Sequence, residues 1–324
     1  MMLVRIAKDW SSPDLMRQTP GQGGIWDGIK FTTEPVQQCD LLLVLNNRLK
    51  AKVQVECRKE NVWALMQEPY VRGFNDWMAE GHDSLFRVFT HHSPVPGGKY
   101  VTSHPAIPWH VNRSYDQLVF CNVPPKTRMI SWIVGNASDL AGHRKRLSFL
   151  RFIQHNFSGI DLLGRAVKYV DDKWDGLASY RYSLAVENSS SPDYWTEKVA
   201  DCFLTWTVPF YYGCTNLEQY FPQDSFIRID IDRPETSLAL IKSMALTEDW
   251  ERRLPALDEA RRLVLNKYQM FPHIAGLIKS YWMEGTGRSL ITVPAYKKSK
   301  KTLLYRAAYK LNRRVKGLFC PYLR

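Results

Sequence analysis

The stretch from residue 180 to residue 212 constrains the fold more than any other, because its hydrophobic pattern changes twice. Residues 182–186 form a short apolar run typical of a buried parallel strand. A polar loop, 187–193, follows, and residues 196–206 then carry apolar side chains at helical spacing. A second apolar run at 208–212 begins another strand. The order strand, loop, helix, strand predicts a βαβ element and an α/β fold.

The beginning of the predicted helix has the features of an anion-binding site. Asp193 or Thr196 is expected to cap the helix, whose first N–H groups have no partner within it. Lys198 adds a positive charge in the first turn, and Glu197 beside it is able to accept hydrogen bonds from ribose hydroxyls. In βαβ elements ligands bind beyond the carboxyl ends of the strands. The pattern therefore predicts a phosphorylated, sugar-bearing ligand.

This region resembles the donor-binding signature of the family 10 glycosyltransferases, the α-1,3/4-fucosyltransferases, in their bacterial type. The matching letters are AVENSSSPDYWTEKVADCF, then TVPFYYG and SFIRIDID. The signature reads F-E-N, a short loop, Y-V-T-E-K, an apolar helix, V-P-V-x-x-G and a later S-F-I. Order and spacing agree. Val186 replaces an aromatic residue and Trp195 a small apolar one, both at positions expected beside the donor.

The resemblance implies both a fold and a reaction. The fold is α/β of the GT-B type, with two Rossmann-like domains that face each other across a cleft. The reaction is transfer of fucose from GDP-fucose to a hydroxyl group. Attack on the face opposite the leaving group would invert the anomeric centre. The first domain would present the acceptor and a general base, and the second would bind the nucleotide sugar.

The resemblance also assigns residues to the nucleotide-sugar site. Tyr194 and Glu197 are expected to contact the base and the ribose, and Lys198 the diphosphate. Glu187, from the E-N pair, is expected to hold the donor's sugar. Asn188 either contacts the donor or caps the helix, and the sequence leaves both interpretations open.

A second cation for the departing diphosphate is expected in the basic cluster 143–146, because the leaving group needs compensating positive charge. The family has an Arg three residues before an aromatic residue, and Arg146 with Phe149 keeps this spacing. Arg144 with Leu147 is the fallback. A solvated helix face is the competing interpretation for Arg144.

The general base is expected in the first domain, after the apolar run 62–66. Glu68 is the candidate, since the family has a cleft-facing Glu near this point and a base must take the proton of the acceptor hydroxyl. His91 and His92 are the runners-up, because imidazole titrates near neutral pH. The competing interpretation for Glu68 is a side chain that only caps the following turn.

The length of 324 residues and the hydrophobic content of 45% suit two globular domains. Residues 1–125 are expected to form the acceptor-side domain, 126–294 the nucleotide-sugar domain, and 295–324 a tail. A loop rich in Gly and Pro at 20–24 either faces the acceptor or is an ordinary surface loop. Three helical patterns follow the last predicted strand, at 236–245, 248–270 and 273–283.

The tail carries most of the net charge of +12, which arises from 44 basic and 32 acidic residues. Residues 295–324 contain ten basic residues and no acidic ones, so the rest of the chain has 34 basic and 32 acidic residues. Leu304, Ala308, Leu311 and Val315 recur at helical spacing. The pattern predicts a basic amphipathic helix on an anionic membrane surface. Nucleic acid would attract the same charges, although it is not expected as a partner, and a solvated tail is the other alternative.

The expected location is the cytoplasm, with the protein peripheral on the inner face of the membrane. No apolar signal segment follows Met1, and the aliphatic run 41–45 is too short to span a bilayer. The acceptor is therefore expected to be a glycan or glycolipid, of a surface or lipopolysaccharide type.

No metal or other cofactor is expected to be obligatory, and GDP-fucose is the expected donor. Asp230 and Asp232 form a D-x-D sequence, but they end a predicted strand, where the family has a similar acidic stop. The cysteines form no C-x-x-C pair. Two alternatives stay open: a transferase of the same fold that uses another nucleotide sugar, and a non-catalytic basic protein that binds membranes or nucleic acid.

Overall fold

The computed structural model describes residues 1–92, 97–247, 249–285 and 287–319, the side chains of 310–319 excepted. The chain divides into two compact units, each discontinuous in sequence. The first unit consists of Met1, Ser11–Phe31 and His104–Trp282, and the second of Met2–Trp10, Thr32–Ser103 and Met283–Arg324.

These units do not follow the three consecutive segments expected, 1–125, 126–294 and 295–324. The segment Ser11–Phe31 belongs to the first unit, because its side chains and backbone contact a distant helix there. Gln269 Nε2 donates to the carbonyl of Gln18 at 3.0 Å. The rings of Phe31 and Phe271 meet edge to face at 5.0 Å. Such contacts join residues far apart in sequence and have no local signal.

The strands, in chain order, are β1 (Met2–Ala7), β2 (Ile25–Trp26), β3 (Ile29–Thr32), β4 (Leu41–Leu45), β5 (Val53–Cys57), β6 (Val62–Leu65), β7 (Arg87–Thr90), β8 (Tyr100–Thr102), β9 (Arg128–Ile133), β10 (Asp161–Leu163), β11 (Tyr180–Val186), β12 (Val208–Tyr212), β13 (Ile227–Arg228) and β14 (Ser289–Val293). The α-helices are α1 (Tyr115–Val119), α2 (Ala141–Asn156), α3 (Glu197–Leu204), α4 (Pro234–Leu246), α5 (Asp249–Arg252), α6 (Leu254–Leu263), α7 (Met270–Tyr281) and α8 (Lys300–Phe319). A π-helical turn, Val264–Tyr268, lies between α6 and α7.

The second unit contains parallel strands in the order β1, β4, β6, β7, β8. Leu42 pairs with Val62, and Ala64 with Val88. Strand β4 is buried at every position, as a strand covered on both faces must be. The apolar run at 41–45 and most of the run at 62–66 thus form buried parallel strands.

An antiparallel pair in the second unit, β5 with β14, was not predicted. Val55 pairs with Ile291, and Cys57 with Ser289. The alternation of apolar and polar residues along β5 is a usable strand signal. Its partner lies more than two hundred residues later, so no local pattern indicates the pairing.

The first unit contains a fully parallel sheet in the order β10, β9, β11, β12, β13. Tyr182 lies between Ile130 of β9 and Val208 of β12. The predicted βαβ element is confirmed as β11, α3 and β12. Parallel strands end at one edge of a sheet, so the residues that follow β11 and β12 lie close together.

The helical region after β13 differs from the predicted patterns. The long pattern at 248–270 divides into α5, α6 and the π-helical turn. Pro255 lies in the first turn of α6, where a proline is tolerated but ends any preceding helix. Residue 248 lies outside the described residues, and the pattern at 273–283 belongs to α7.

Helix α8 is part of the second unit and its first turns are anchored there. Thr302 Oγ1 donates to Glu80 Oε1 at 3.2 Å, and the ring of Tyr305 packs against Gly73. Leu303 and Leu304 lie on the other side and are 53% and 73% exposed. The side chains of the predicted apolar positions Leu311 and Val315, and residues 320–324, lie outside the described residues. No helix in the described ranges is both long and apolar enough to cross a membrane.

Candidate active site

The candidate site lies where β11 ends and α3 begins. Glu187 follows β11 directly, is 1% exposed, and its backbone N–H donates to the carbonyl of Tyr212 at 2.8 Å. Its Oε1 accepts hydrogen bonds from the backbone N–H of Thr196 at 2.9 Å and from Thr196 Oγ1 at 2.8 Å. These bonds fold the loop 188–195 back onto the strand end, so the start of α3 has a fixed position.

Gly213 is required by the close approach of Glu187. The residue has φ +153°, and a Cβ there would lie 2.7 Å from Glu187 Cβ. A side chain at this position would displace the buried carboxylate. This steric restriction gives a physical reason for the glycine of the V-P-x-x-x-G sequence.

Thr196 is the N-cap of α3, as one of the two predictions stated. Its Oγ1 accepts a hydrogen bond from the backbone N–H of Lys198 at 3.3 Å. The other candidate, Asp193, does not cap the helix. Asp193 Oδ1 instead accepts hydrogen bonds from Asn216 Nδ2 at 2.9 Å and from the hydroxyl of Tyr220 at 2.7 Å, which closes the base of the loop.

Lys198 lies between two carboxylates in the first turn of α3. Its Nζ is 3.1 Å from Glu187 Oε2, 3.3 Å from Glu197 Oε1 and 3.0 Å from Thr196 Oγ1. Burial alone lowers the pKa of Lys198, but attraction to Glu187 and Glu197 outweighs burial and raises it. Lys198 is therefore a fully charged cation, with 26% of its side chain exposed.

For Glu187, the effect of burial on the pKa outweighs the attraction to nearby charges. Its side chain is fully buried, and burial raises its pKa even though Lys198 and Thr196 favour the ionised form. The carboxylate therefore depends on Lys198 for its charge balance, as a buried ion must be paired.

A second lysine, which the sequence reasoning missed, also contacts Glu197. Lys173 Nζ is 3.4 Å from Glu197 Oε1 and 2.9 Å from Asp201 Oδ2. Burial alone raises the pKa of Glu197, but Lys198, Lys173 and His110 hold it well below its usual range. Asp201 follows Glu197 by one helical turn, which was a usable signal. Lys173 lies on the loop between β10 and β11, and no signal in the sequence indicated its contact with Glu197.

The basic cluster at the start of α2 separates into three different environments. Arg146 is 7% exposed, and within the described part of the chain its Nε has no hydrogen-bond partner. Arg144 is half-buried and donates to the carbonyl of Asp139 at 2.8 Å. Lys145 donates to the hydroxyl of Tyr212 at 2.8 Å and forms an ion pair with Asp232. The structure therefore distinguishes Arg146 from its neighbours.

Asn188 is fixed by two side chains. Its Oδ1 accepts a hydrogen bond from the hydroxyl of Tyr194 at 3.1 Å, and its Nδ2 lies 3.3 Å from His143 Nε2. A side chain at position 142 would collide with the carbonyl of Asn188, so Gly142 lets α2 approach the loop. Asn188 does not cap α3, because Thr196 does.

A pocket of about 1000 Å³ opens at this edge of the sheet, entirely within the first unit. This volume is at the upper end of the range of about 300–1,000 Å³ for ligand pockets. Its lining includes Arg146, Asn188, Glu197, Lys198, Lys173, His110, Arg17, Gln22 and Val186. The other residues predicted to contact the nucleotide sugar, namely Arg144, Glu187 and Tyr194, do not line it.

Trp195, one of the two departures from the signature, is buried away from the pocket lining. Its ring stacks on His104 at 4.9 Å and meets Phe221 edge to face at 5.1 Å. Val186, the other departure, lines the pocket. Of the two, Val186 is therefore the one placed to affect the ligand.

The predicted base lies in the second unit. Glu68 is exposed and follows β6, as predicted. His92 stacks on the ring of Tyr70 at 4.2 Å, and burial lowers its pKa. The role of Glu68 stays a prediction. In the described ranges, no group of three or more His, Cys, Asp or Glu residues is placed to hold a metal ion.

Comparisons with known proteins find similarity in the part of the chain that contains α2, β11 and α3. Residues 123–248 match the model of the C-terminal part of glycosyltransferase family 10, the fucosyltransferases. A human protein, 4-galactosyl-N-acetylglucosaminide 3-alpha-L-fucosyltransferase FUT6, is 30% identical over 128 residues, which are 38% of this chain and 34% of the human one. The mouse 4-galactosyl-N-acetylglucosaminide 3-alpha-L-fucosyltransferase 9 is 26% identical over 181 residues, 49% of each chain. The chain thus spans between a third and a half of the length of these relatives.

A solved structure supports the fold over a longer span. The crystal structure of an alpha1,3-fucosyltransferase aligns with 92% of this chain and 92% of its own, with a TM-score of 0.51 and 12% sequence identity. At this identity the likeness shows the fold alone, which is the GT-B class predicted from the sequence. The family model covers β9 to α4, including the whole βαβ element, so residues 123–248 form a domain similar to the C-terminal part of glycosyltransferase family 10.

Proposed function

We propose that the protein transfers fucose from GDP-fucose to a hydroxyl group of a surface glycan or lipopolysaccharide-type acceptor. One observation carries this proposal: two cations, Lys198 and Arg146, line the same pocket as the carboxylate of Glu197, at the start of a helix. A helix start with added cations suits a diphosphate. A carboxylate beside it suits the hydroxyls of a ribose.

The leaving group of the reaction is the nucleoside diphosphate. Lys198 and Arg146 would compensate the charge that develops on its oxygens as the bond to the sugar breaks. Glu197 would accept hydrogen bonds from the ribose. Glu187, which does not line the pocket, would act by holding Lys198 and the start of α3 in place.

Glu68 is proposed as the general base that takes the proton from the acceptor hydroxyl. Attack on the face of the sugar opposite the leaving group, with inversion of the anomeric centre, is proposed with it. The support is the position of Glu68 after the carboxyl end of β6 in the second unit. No metal ion is needed in this account, because Lys198 and Arg146 supply the positive charge.

The protein is also proposed to lie in the cytoplasm, on the inner face of the membrane, through α8. Thr302 and Tyr305 bind the second unit, which leaves Leu303 and Leu304 exposed on a helix whose first residues are basic. Apolar side chains among lysines suit the boundary between lipid tails and anionic headgroups. Membrane-embedded glycolipid acceptors would then be close to the enzyme.

A donor panel tests the proposed function. The purified protein is incubated with GDP-fucose, GDP-mannose and UDP-sugars, and release of the free nucleotide is measured. Selective release from GDP-fucose is expected. Release from a different donor alone would replace the fucosyl proposal with another nucleotide sugar, in which case Val186 is the pocket residue to examine first.

A further inference from the structure

The contacts of Glu197 converge on one of its two carboxylate oxygens. Oε1 lies 3.3 Å from Lys198 Nζ, 3.4 Å from Lys173 Nζ and 3.9 Å from His110 Nδ1. None of these contacts uses Oε2. A carboxylate held by one oxygen presents the other in a fixed direction, and Glu197 lines the pocket.

Lys173 is also held by a second carboxylate, that of Asp201. Its Nζ is 2.9 Å from Asp201 Oδ2, and Asp201 Oδ1 accepts a hydrogen bond from the backbone N–H of His110 at 2.8 Å. Asp201 is 1% exposed on α3, one turn after Glu197. Lys173 therefore bridges two carboxylates of α3, and Asp201 connects this pair to the segment that contains His110.

The loop that carries Lys173 is fastened to the same segment. Asp172 Oδ1 accepts hydrogen bonds from the backbone N–H of Trp174 at 2.8 Å and of Asn112 at 3.0 Å. Asp172 Oδ2 accepts one from Arg113 at 3.0 Å. The hydrogen bonds of Asp172 therefore fix the part of the loop between β10 and β11 that carries Lys173.

A bound nucleotide would affect the two lysines that contact Glu197, Lys198 and Lys173, in different ways. Lys198 has a diphosphate to bind, and it cannot hold phosphate oxygens and stay equally close to Glu197. Lys173 has its second contact with Asp201, which is 1% exposed and holds the lysine independently of Glu197. When a diphosphate attracts Lys198, Lys173 stays on Oε1 and keeps Glu197 ionised and in place.

We propose that Lys173 is a positioning residue, which holds Glu197 so that Oε2 accepts hydrogen bonds from the hydroxyls of a ribose. This inference rests on the proposed function, because it requires a nucleoside diphosphate in the pocket. It concerns a residue outside the family signature, on the loop between β10 and β11.

Calorimetric titration with two ligands, GDP and 2′,3′-dideoxy-GDP, tests the proposal. Lys173→Met is expected to weaken binding of GDP about tenfold, since a charge-supported hydrogen bond to the ribose is lost. Binding of the dideoxy ligand should change less than about twofold, because it has no hydroxyl for Glu197 to bind. Lys173→Arg keeps the charge and should restore most of the affinity for GDP.

The outcomes separate this inference from the proposed function. If wild-type protein binds GDP but Lys173→Met weakens both ligands equally, the lysine acts as a general charge and the positioning role is wrong. If the wild-type protein does not bind GDP, the proposed function fails and this inference with it.

A second variant of Lys173 and a control in a Glu197→Gln background complete the test. If Lys173→Met does not fold, Lys173→Gln replaces it, because an amide still donates to Asp201 but carries no charge. In a Glu197→Gln background, Lys173→Met should have no added effect on GDP binding. An added tenfold loss there would show that Lys173 acts without Glu197.

Discussion

Lys198 Nζ lies 3.1 Å from Glu187 Oε2, so that the residue after β11 and the first turn of α3 are joined by an ion pair with one fully buried partner. A carboxylate in this position cannot be hydrated, and its charge is balanced by the lysine. The lysine in turn is held at the pocket and not free to extend into solvent. The arrangement fixes a cation at the proposed diphosphate site.

The first prediction concerns this ion pair. Glu187→Gln keeps an oxygen for Thr196 but removes the charge that holds Lys198, so the affinity for GDP should fall about tenfold. Affinity is measured by calorimetry, with the thermal midpoint of unfolding as the check on folding. Unchanged affinity in a folded variant would show that Lys198 needs no support from Glu187.

The second prediction compares two arginines on one helix. Arg146→Ala should weaken GDP binding at least about tenfold, because a buried guanidinium that lines the pocket is lost. Arg144→Ala is the matched control, since Arg144 does not line the pocket and donates to the carbonyl of Asp139. It should change the affinity less than about twofold. If Arg144→Ala weakened GDP binding more than Arg146→Ala, the phosphate contact would be assigned to Arg144.

The third prediction concerns the glycine beside Glu187. Gly213→Ala should lower the free energy of unfolding by about 1–3 kcal/mol, because a Cβ would collide with Glu187 and the backbone has positive φ. Gly276→Ala is the control, because Gly276 lies inside α7 with no atom near its missing Cβ. That change should raise stability by up to about 1 kcal/mol. Urea unfolding measures both, and equal effects would contradict the packing argument.

The fourth prediction follows from the lowered pKa of Glu197. Burial opposes ionisation, but Lys198, Lys173 and His110 outweigh it, so the folded pKa lies well below the unfolded value of 4.5. Stability from such an acid is present above the unfolded pKa and is lost as pH falls through the folded pKa. The difference in unfolding free energy between wild type and Glu197→Gln should therefore be full at about pH 7 and shrink below pH 4.5.

Urea unfolding across this pH range measures the difference, with Glu259→Gln, an exposed position on α6, as the control. A difference between wild type and Glu197→Gln that stays constant down to the acid limit would contradict the ionised, paired state of Glu197.

The fifth prediction concerns membrane binding by α8. Replacing both Leu303 and Leu304 with Ser should reduce cosedimentation with vesicles that contain anionic lipid, since exposed apolar area is lost. Affinity for GDP should not change. Leu246→Ser is the control, because Leu246 is 87% exposed on α4, in the other unit. If the control reduces binding as much as the α8 variant does, α8 is not the membrane-binding element.

The sequence predicts the βαβ element, a cap at Asp193 or Thr196 and the cation at Lys198 because each depends on residues close together in the chain. Periodicity and capping are local effects. Arg146 could be named from its spacing to Phe149, but its deeper burial than the half-buried Arg144 depends on packing outside its own helix.

The rest required contacts across long sequence separations. Lys173 reaches Glu197 from another loop, and its residue type and neighbours give no local signal. The segment Ser11–Phe31 joins the first unit through contacts with Gln269 and Phe271. The division into discontinuous units follows from such pairings, and hydrophobic periodicity contains no information about them.

The first turn of α3 is proposed to bind a nucleoside diphosphate through Lys198, and a titration with GDP tests this proposal. GDP is titrated into wild-type protein and into Lys198→Met, with the thermal midpoints of unfolding measured in parallel. The account predicts that wild type binds GDP and that the variant binds at least about tenfold more weakly while remaining folded. Equal affinity for GDP in a folded Lys198→Met protein would contradict the account.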